Sequence, residues 1–358
     1  LNIANGNGFV YEKGGSPVLE RTPLYTFIVA GLFTVTGGYS VVAVQIYQAI
    51  LHGLASFVVF AIVARLLDRP TAIVCQLIVA LHPIVLWYTA RIWVETTHTF
   101  LFVLIAYLLL LFFESATFKR GMLLGFLIGL SCLVKPVLLL FPVIVVVLAM
   151  NRFGKQSYRV GITVLVTTIV VIMPWTLRNY AVSGRFVAVN TSLGFNLIQG
   201  TVIGENWPSV GMGILDYWEK GKDRADAILS PHGLTWESVE GDALLTRASF
   251  DSDNISPGKV VWRFVANSVT FWYLSESVAK SVFLGILQLP LLLAGILSFT
   301  LMDSKIRRAF LPLALLFAYY AFVHGFIVGW GRYSMPLIPL LIVLSAPLVS
   351  RYFSHSKT

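Results

Sequence analysis

The sequence predicts an all-α, polytopic membrane protein, and three observations predict it. Of its 358 residues 57% are hydrophobic and only 12% charged, which gives a mean hydropathy of +0.80. The apolar residues gather in long stretches, and the charges gather between them. That composition is too apolar for a soluble globule of this length, and the stretches lack the period-two alternation of a membrane β-barrel.

The first 20 residues (LNIANGNGFVYEKGGSPVLE) are polar and Gly-rich. They lack a basic segment followed by an apolar core, so they are not a signal peptide. In Glu20-Arg21-Thr22-Pro23-Leu24-Tyr25, Thr22 suits a helix N-cap and Pro23 the first helical turn. The apolar run that follows ends at Gly37-Gly38, too soon to cross a bilayer of ~30 Å. A juxtamembrane helix over about 22–37, with Glu20 and Arg21 at its N-terminal end, is expected.

Spans of roughly 17 to 25 apolar residues then fall at about 41–64, 71–89, 96–113, 121–134, 136–150, 160–177, 281–302, 309–327 and 334–350. The fourth and fifth are short and meet at Lys135-Pro136, as a helical hairpin that need not cross fully. Cys75 and Cys132 lie inside spans, where they read as small core residues.

Three regions follow: transmembrane 1–177, a cap segment 178–280, and transmembrane 281–358. Within the cap, 183–213 is rich in Gly, Asn and aromatics and reads as loop or short strand. Helices are expected at about 216–229, 235–250 and 257–274, the last capped by Ser256 with Pro257 in its first turn. Trp262, Phe264, Phe271, Trp272 and Tyr273 suit a membrane interface.

Sorting the charges by connector gives an orientation. One side collects Arg65, Arg69, Lys119, Arg120, Arg152, Lys155, Arg159, Lys305, Arg307, Arg308, Arg351 and Lys357 against Asp68, Glu114 and Asp303, which is the whole formal charge of +9. By the positive-inside rule these short connectors are cytoplasmic. The C-terminus is then cytoplasmic and the N-terminus outside. Leu1 is not an initiator Met, so the expectation is a chain that starts in an outer loop after a first helix absent from this sequence; a short protein with a translocated N-terminus is the alternative.

The opposite side holds 14 basic and 14 acidic residues. Among them Glu20, Arg21, Arg91, Glu95, Lys135, Arg178 and Arg332-Tyr333 sit beside apolar sequence, where a charge is costly unless paired or wetted. Singly, each could be a snorkelling interfacial residue. Together they suit an anionic lipid headgroup: Arg binds phosphate in a bidentate manner, Lys supplies a point charge, and Glu20 or Glu95 could take a proton from an acceptor hydroxyl. Glu95 and His98 share a helix face as a Glu-x-x-His pair, read as a hydrogen-bonded pair rather than a metal site. No nucleotide-binding loop occurs, and no metal, cofactor or nucleic acid is expected. Asn190-Thr191-Ser192 and Asn254-Ile255-Ser256 are glycosylation sequons, relevant only in a eukaryotic secretory compartment.

The order Gly6-Asn7-Gly8-Phe9, Arg21-Thr22-Pro23-Leu24-Tyr25, Ala80-Leu81-His82-Pro83, Glu95, Gly129-Leu130, Lys135-Pro136, Pro174-Trp175, Arg178-Asn179-Tyr180, Gly194-Phe195-Asn196-Leu197, Gly200 and Arg332-Tyr333-Ser334-Met335-Pro336 resembles the GT-C membrane glycosyltransferases. The resemblance is to the group containing protein O-mannosyltransferases and bacterial aminoarabinose transferases. It implies transfer of a sugar from a polyprenyl-phosphate carrier to a lipid, glycan or protein acceptor on the outer face of the cytoplasmic membrane. It also implies a carboxylate base in the first outer loop and phosphate-facing positions at Arg21, Lys135, Arg178 and Arg332. The group's aspartate precedes the stretch represented here by Asn5 to Phe9 and is not in this sequence; Glu12 or Glu20 would have to substitute, or catalysis would be lost. The rival readings are a transporter or flippase of lipid-linked anions, and a catalytically incomplete remnant.

Overall fold

The computed structural model describes residues 1–154, 157–208, 211–251 and 256–355, with side chains as far as Arg351. Lys155, Lys357 and the Asn254-Ile255 part of the second sequon lie outside them.

Among the described residues fifteen α-helices follow one another: α1 (Pro23–Val35), α2 (Val41–Leu66), α3 (Arg69–Ala80), α4 (Pro83–Thr89), α5 (Glu95–Glu114), α6 (Phe118–Val134), α7 (Phe141–Phe153), α8 (Tyr158–Ser183), α9 (Leu193–Asn206), α10 (Ile214–Leu229), α11 (Val239–Ala248), α12 (Pro257–Thr270), α13 (Val278–Leu301), α14 (Ser304–Ile327) and α15 (Leu337–His355). Among the described residues the only extended pairing is an isolated bridge between Val10 and Pro17. The chain is an all-α, multi-pass membrane protein.

Helices stand at all nine expected spans. Length and composition qualify five of them, α2, α5, α8, α13 and α14, to cross a membrane. A sixth is the pair α3 and α4, bent by 50° where they meet; Pro83 opens α4 and cannot donate back into α3. α6 (17 residues) and α7 (13 residues) join through a 3₁₀ turn at Pro136–Leu138. α1 begins at Pro23 as expected and stops just before Gly37, whose φ of 71° is open to glycine at little cost.

The expectation of loop or strand over 183–213 was wrong for its middle, Leu193–Asn206, which is α9. Its glycines are packing surfaces, not turns. A Cβ on Gly200 would stand 1.9 Å from the Ile327 carbonyl oxygen, and one on Gly194 would stand 2.3 Å from that of Asp242.

The chain divides into two compact units. One comprises residues 24–173, 289–319 and 335–358. Within it α2 packs on α3, α4 and α5, and α15 lies against α2, α3 and α5. α5 is the inner helix, with 78% of its apolar window buried. Side chains lock one end of this bundle: Arg65 grips Glu114 through two 2.5 Å contacts, Asp68 caps α3 through Thr71, and Ser350 donates to Asp68 at 2.7 Å.

A second seam joins α6 to α8. Gly121, Gly125 and Gly129 recur every four residues on one face of α6, and the α8 backbone comes against them. A Cβ on Gly125 would lie 2.4 Å from the Val164 carbonyl oxygen, and one on Gly129 would lie 2.6 Å from Val171 Cβ. Thr168 exploits the approach by donating its hydroxyl to the Gly125 carbonyl at 3.1 Å. Small residues at four-residue spacing let membrane helices meet where no hydrophobic drive separates protein from lipid.

The other unit comprises residues 1–23, 174–288 and 320–334. α9 is its centre, with α10, α11 and α12 packed around it. Two apolar clusters fill the space: Val202, Ile203, Tyr217, Ala266, Leu274, Val328 and Trp330 form one, and Phe195, Ile198, Ala225, Leu229 and Leu245 the other. α12 carries the expected cap, with the Ser256 hydroxyl accepting from the Lys259 amide at 3.2 Å. Phe271 and Trp272, expected at the interface, are instead buried at 1% and 7% exposure.

The α6 seam is directly testable. Gly125→Leu is expected to lower the stability of the detergent-solubilised protein by about 3 kcal/mol or more, seen as a fall in the thermal unfolding midpoint. Gly53→Ala, at a helical site where a Cβ would meet nothing within 4 Å, should leave the midpoint unchanged or raise it slightly.

Candidate active site

Glu20 is a buried carboxylate, 6% exposed. The Tyr11 hydroxyl donates to one of its oxygens, and the Leu19 amide donates to the other at 3.3 Å. Arg21 donates from Nε to the same Tyr11 hydroxyl at 2.9 Å. Tyr11 therefore bridges Glu20 and Arg21. Burial, followed by the Glu20 hydrogen bond, raises its phenol above the usual range, which keeps the proton in place to donate.

The backbone behind these side chains is stitched to α8 and to the chain that follows it. Arg178, in the last turns of α8, donates to the Val18 carbonyl at 2.9 Å. The Thr191 amide donates to the Leu19 carbonyl at 3.1 Å, and Asn190 Nδ2 donates to the Glu20 carbonyl at 3.0 Å. Trp175 Nε1 donates to Val189 at 2.8 Å, and Asn179 Nδ2 to Val187 and Val189 at 3.2 and 2.9 Å.

The Arg178 guanidinium rests over the rings of Trp175 (4.7 Å) and Phe9 (5.4 Å), which themselves meet edge to face at 5.0 Å. Phe9 reaches this place through a tight loop in which Gly6 and Gly8 take φ of 75° and 85°. Among the described residues no carboxylate pairs with Arg178, so its charge is held by π-faces and carbonyl dipoles. Asn190 is committed to this framework through the Glu20 carbonyl and the Ser192 hydroxyl.

Arg332 and Tyr333 lie in the same unit, on the 3₁₀ turn Gly331–Ser334. Arg332 spreads over Trp330 (4.8 Å) and Tyr333 (5.0 Å) and donates to the Tyr333 hydroxyl at 3.2 Å. Tyr333 in turn stacks on Trp330 at 5.5 Å and meets His324 at 5.0 Å. The turn is anchored by the Gly331 amide on the Leu274 carbonyl at 2.8 Å and by Ser334 on Gln288 at 2.7 Å.

Arg91, Glu95 and Lys135 belong to the other unit. Gln48 Nε2 donates to the Thr89 and Arg91 carbonyls at 2.9 and 2.5 Å, while its Oε1 accepts from Tyr25 at 3.2 Å. Arg91 lies over Trp87 (4.9 Å) and Trp93 (5.6 Å). Glu95 opens α5 with 4% exposure, close enough to Tyr25 for its charge to act on that phenol. Lys135 is a half-buried residue at the α6 end, leading into the turn whose Val137 carbonyl accepts from Tyr319 at 2.8 Å. His98, one turn beyond Glu95, is fully buried against Phe102. Among the described residues no three His, Cys, Asp or Glu side chains converge as metal ligands.

The sequence reading missed Tyr11, Asp242, Arg263 and Asn267. The last two were legible in principle: Arg263, Asn267 and Thr270 recur at helical spacing on α12. Asp242 caps α9 from α11, accepting from the Gly194 amide at 2.7 Å, and no local pattern announces it. Burial pushes its carboxyl up to about 6, against a downward pull from the Gly194 amide.

Comparison with known proteins places this geometry. Residues 20–177 match the family described as dolichyl-phosphate-mannose-protein mannosyltransferase. The fold is similar to that of the archaeal oligosaccharyltransferase AglB from Archaeoglobus fulgidus, solved in complex with an inhibitory peptide and a dolichol-phosphate. Their TM-score is 0.57 at 16% identity, over 99% of this chain and 45% of that one. The Archaeoglobus fulgidus oligosaccharyltransferase tethered to an acceptor peptide aligns with a TM-score of 0.53 at 14% identity, over 94% of this chain and 42% of that one. Over nearly its whole length the chain shares the fold of these oligosaccharyltransferase structures. It spans less than half the length of those solved chains, and no curated protein matches its sequence significantly.

The half-buried carboxyl of Asp242 gives this fold a pH signature. Its folded value of about 6 lies above the ordinary 3.8, so the folded state favours the proton and loses stability as pH rises between them, by up to about 3 kcal/mol. Asp242→Asn, which keeps an acceptor for Gly194, should show a stability gain over wild type that is small at pH 4 and largest above pH 6. A difference that does not vary with pH would contradict this account.

Proposed function

We propose that this chain transfers a sugar from a polyprenyl-phosphate carrier to a lipid, glycan or protein acceptor on the outer face of the cytoplasmic membrane. The observation that carries the reading is the match of residues 20–177 to a family named for a dolichyl-phosphate-mannose donor. The likeness of nearly the whole chain to an oligosaccharyltransferase solved with a dolichol-phosphate supports it.

The chemistry is a displacement at the anomeric carbon. The acceptor oxygen forms the new bond, its proton passes to a carboxylate, and the polyprenyl phosphate leaves with the electron pair of the broken C–O bond. Glu20 is the base we assign, because Tyr11 and the Leu19 amide fix the orientation of its carboxylate. Arg178 and Arg332, each spread on aromatic faces, are assigned to the leaving phosphate together with Arg21 and Tyr333 of the same unit. Cations fixed where negative charge develops lower the barrier without reorganising at the moment of reaction. In this reading the N-terminus faces outward, the C-terminus is cytoplasmic, and 178–280 caps the site.

Glu20→Gln and Arg332→Ala in purified full-length protein test the assignment with a polyprenyl-phosphate sugar as donor. Loss of a general base is expected to slow transfer by about 10²-fold or more. Loss of Arg332 should weaken use of the donor with little change in thermal stability. Wild-type rates in either variant would remove that residue from the site.

A further inference from the structure

α12 is inside out. Arg263, Asn267 and Thr270 follow at helical spacing and are buried at 7%, 0% and 0% exposure. Each has work on the inner side: Arg263 donates to the Thr201 hydroxyl at 3.1 Å and to the Ser249 carbonyl at 3.4 Å. Asn267 donates to the Gly200 carbonyl at 3.3 Å and accepts from the Gly329 amide at 3.2 Å. The Thr270 hydroxyl donates back to the Ala266 carbonyl. The opposite side carries Val261, Trp262, Val265 and Val269, exposed at 62%, 46%, 38% and 38%.

A helix on an aqueous surface shows the reverse pattern, apolar inward and polar outward. α10 of the same unit does so, burying Tyr217, Gly221, Ala225 and Leu229 and exposing Glu219, Lys220, Lys222 and Asp223. The two helices therefore face different solvents.

The outer face of α12 also continues an exposed apolar surface of α14. Phe264 packs on Phe322 of α14 at 5.5 Å, and a Cβ on Gly325 would stand 2.4 Å from Ser268 Oγ and 2.9 Å from the Phe264 ring. α12 thus lies against the last turns of a helix long and apolar enough to cross a membrane, beside a Phe322 that is itself 58% exposed. Trp262 keeps its indole nitrogen bonded to the Gly204 carbonyl at 3.0 Å and leaves its apolar edge outward, the arrangement that suits an interfacial tryptophan.

We propose that α12 is an in-plane membrane helix whose Val261, Trp262, Val265 and Val269 face is covered by lipid. Its inner face holds Gly329 at the start of the Trp330–Tyr333 segment, so the bilayer supports one side of the helix that positions Arg332 on the other.

The full-length protein in phosphatidylcholine vesicles, with an environment-sensitive fluorophore at Val265→Cys or Lys222→Cys, tests this; Val261→Cys serves as a second probe should the first fail to fold. The buried Cys75 and Cys132 set the labelling background, measured on the parent protein. The expected result is blue-shifted emission at Val265, quenched several-fold more by nitroxide-bearing lipids than by aqueous iodide, and the opposite preference at Lys222. Iodide quenching at Val265 equal to that at Lys222 would overturn the proposal. So would emission shielded from both quenchers that becomes exposed on dilution of protein in lipid, the sign of a second copy on this face.

Discussion

A polar group inside an apolar surrounding has to find its partner within the protein, and the carboxamide of Asn267 does this for two backbone groups at once. Its nitrogen bonds the Gly200 carbonyl of α9 and its oxygen bonds the Gly329 amide just past α14. The contact exists only because both partners lack a side chain: a Cβ on Gly329 would lie 2.0 Å from the Asn267 carbonyl oxygen, and one on Gly200 would lie 2.9 Å from its amide nitrogen. Asn267 thereby ties α9, α12 and the segment leading to Arg332 to one another, beside the bonds of Arg263 to Thr201 and Trp262 to Gly204 that also join α12 to α9.

The same rule of close approach at glycine with a polar side chain closing the gap governs the other unit, where Thr168 bonds the Gly125 carbonyl across the α6–α8 seam. It governs the Glu20 region in a different form. There the side chains of Trp175, Arg178, Asn179 and Asn190 each spend a donor on a main-chain carbonyl. The consequence is a first segment with no regular secondary structure that nevertheless holds a buried carboxylate and two guanidinium groups in fixed positions. Fixed charge of this kind is what a site for an anionic leaving group requires.

Much of this was legible in the sequence, and the limit is physical. Long apolar runs reported the helices well: the span read at 41–64 is α2, Val41–Leu66, and Ser256-Pro257 announced the start of α12. Glycine misled over α9, because Gly194, Gly200 and Gly204 signal a turn when read locally and a helix-packing face when the partner helices are present. Tyr11 escaped notice because its link to Glu20 and Arg21 depends on a loop folding back, which no periodicity encodes. Asp242 escaped for the same reason, its partner being an amide 48 residues away.

Arg178, Arg332 and Arg263 all lie over aromatic rings, and Arg178 and Arg263 also donate to main-chain carbonyls. A glycosyl transferase and a carrier of lipid-linked anions would both need cations held in this way. The most direct discrimination is to supply the purified chain, in sealed vesicles, with polyprenyl-phosphate mannose labelled in the sugar together with a candidate acceptor. The account predicts label on the acceptor with one free polyprenyl phosphate released per sugar transferred. Intact donor carried across the bilayer, with no phosphate freed, would contradict it.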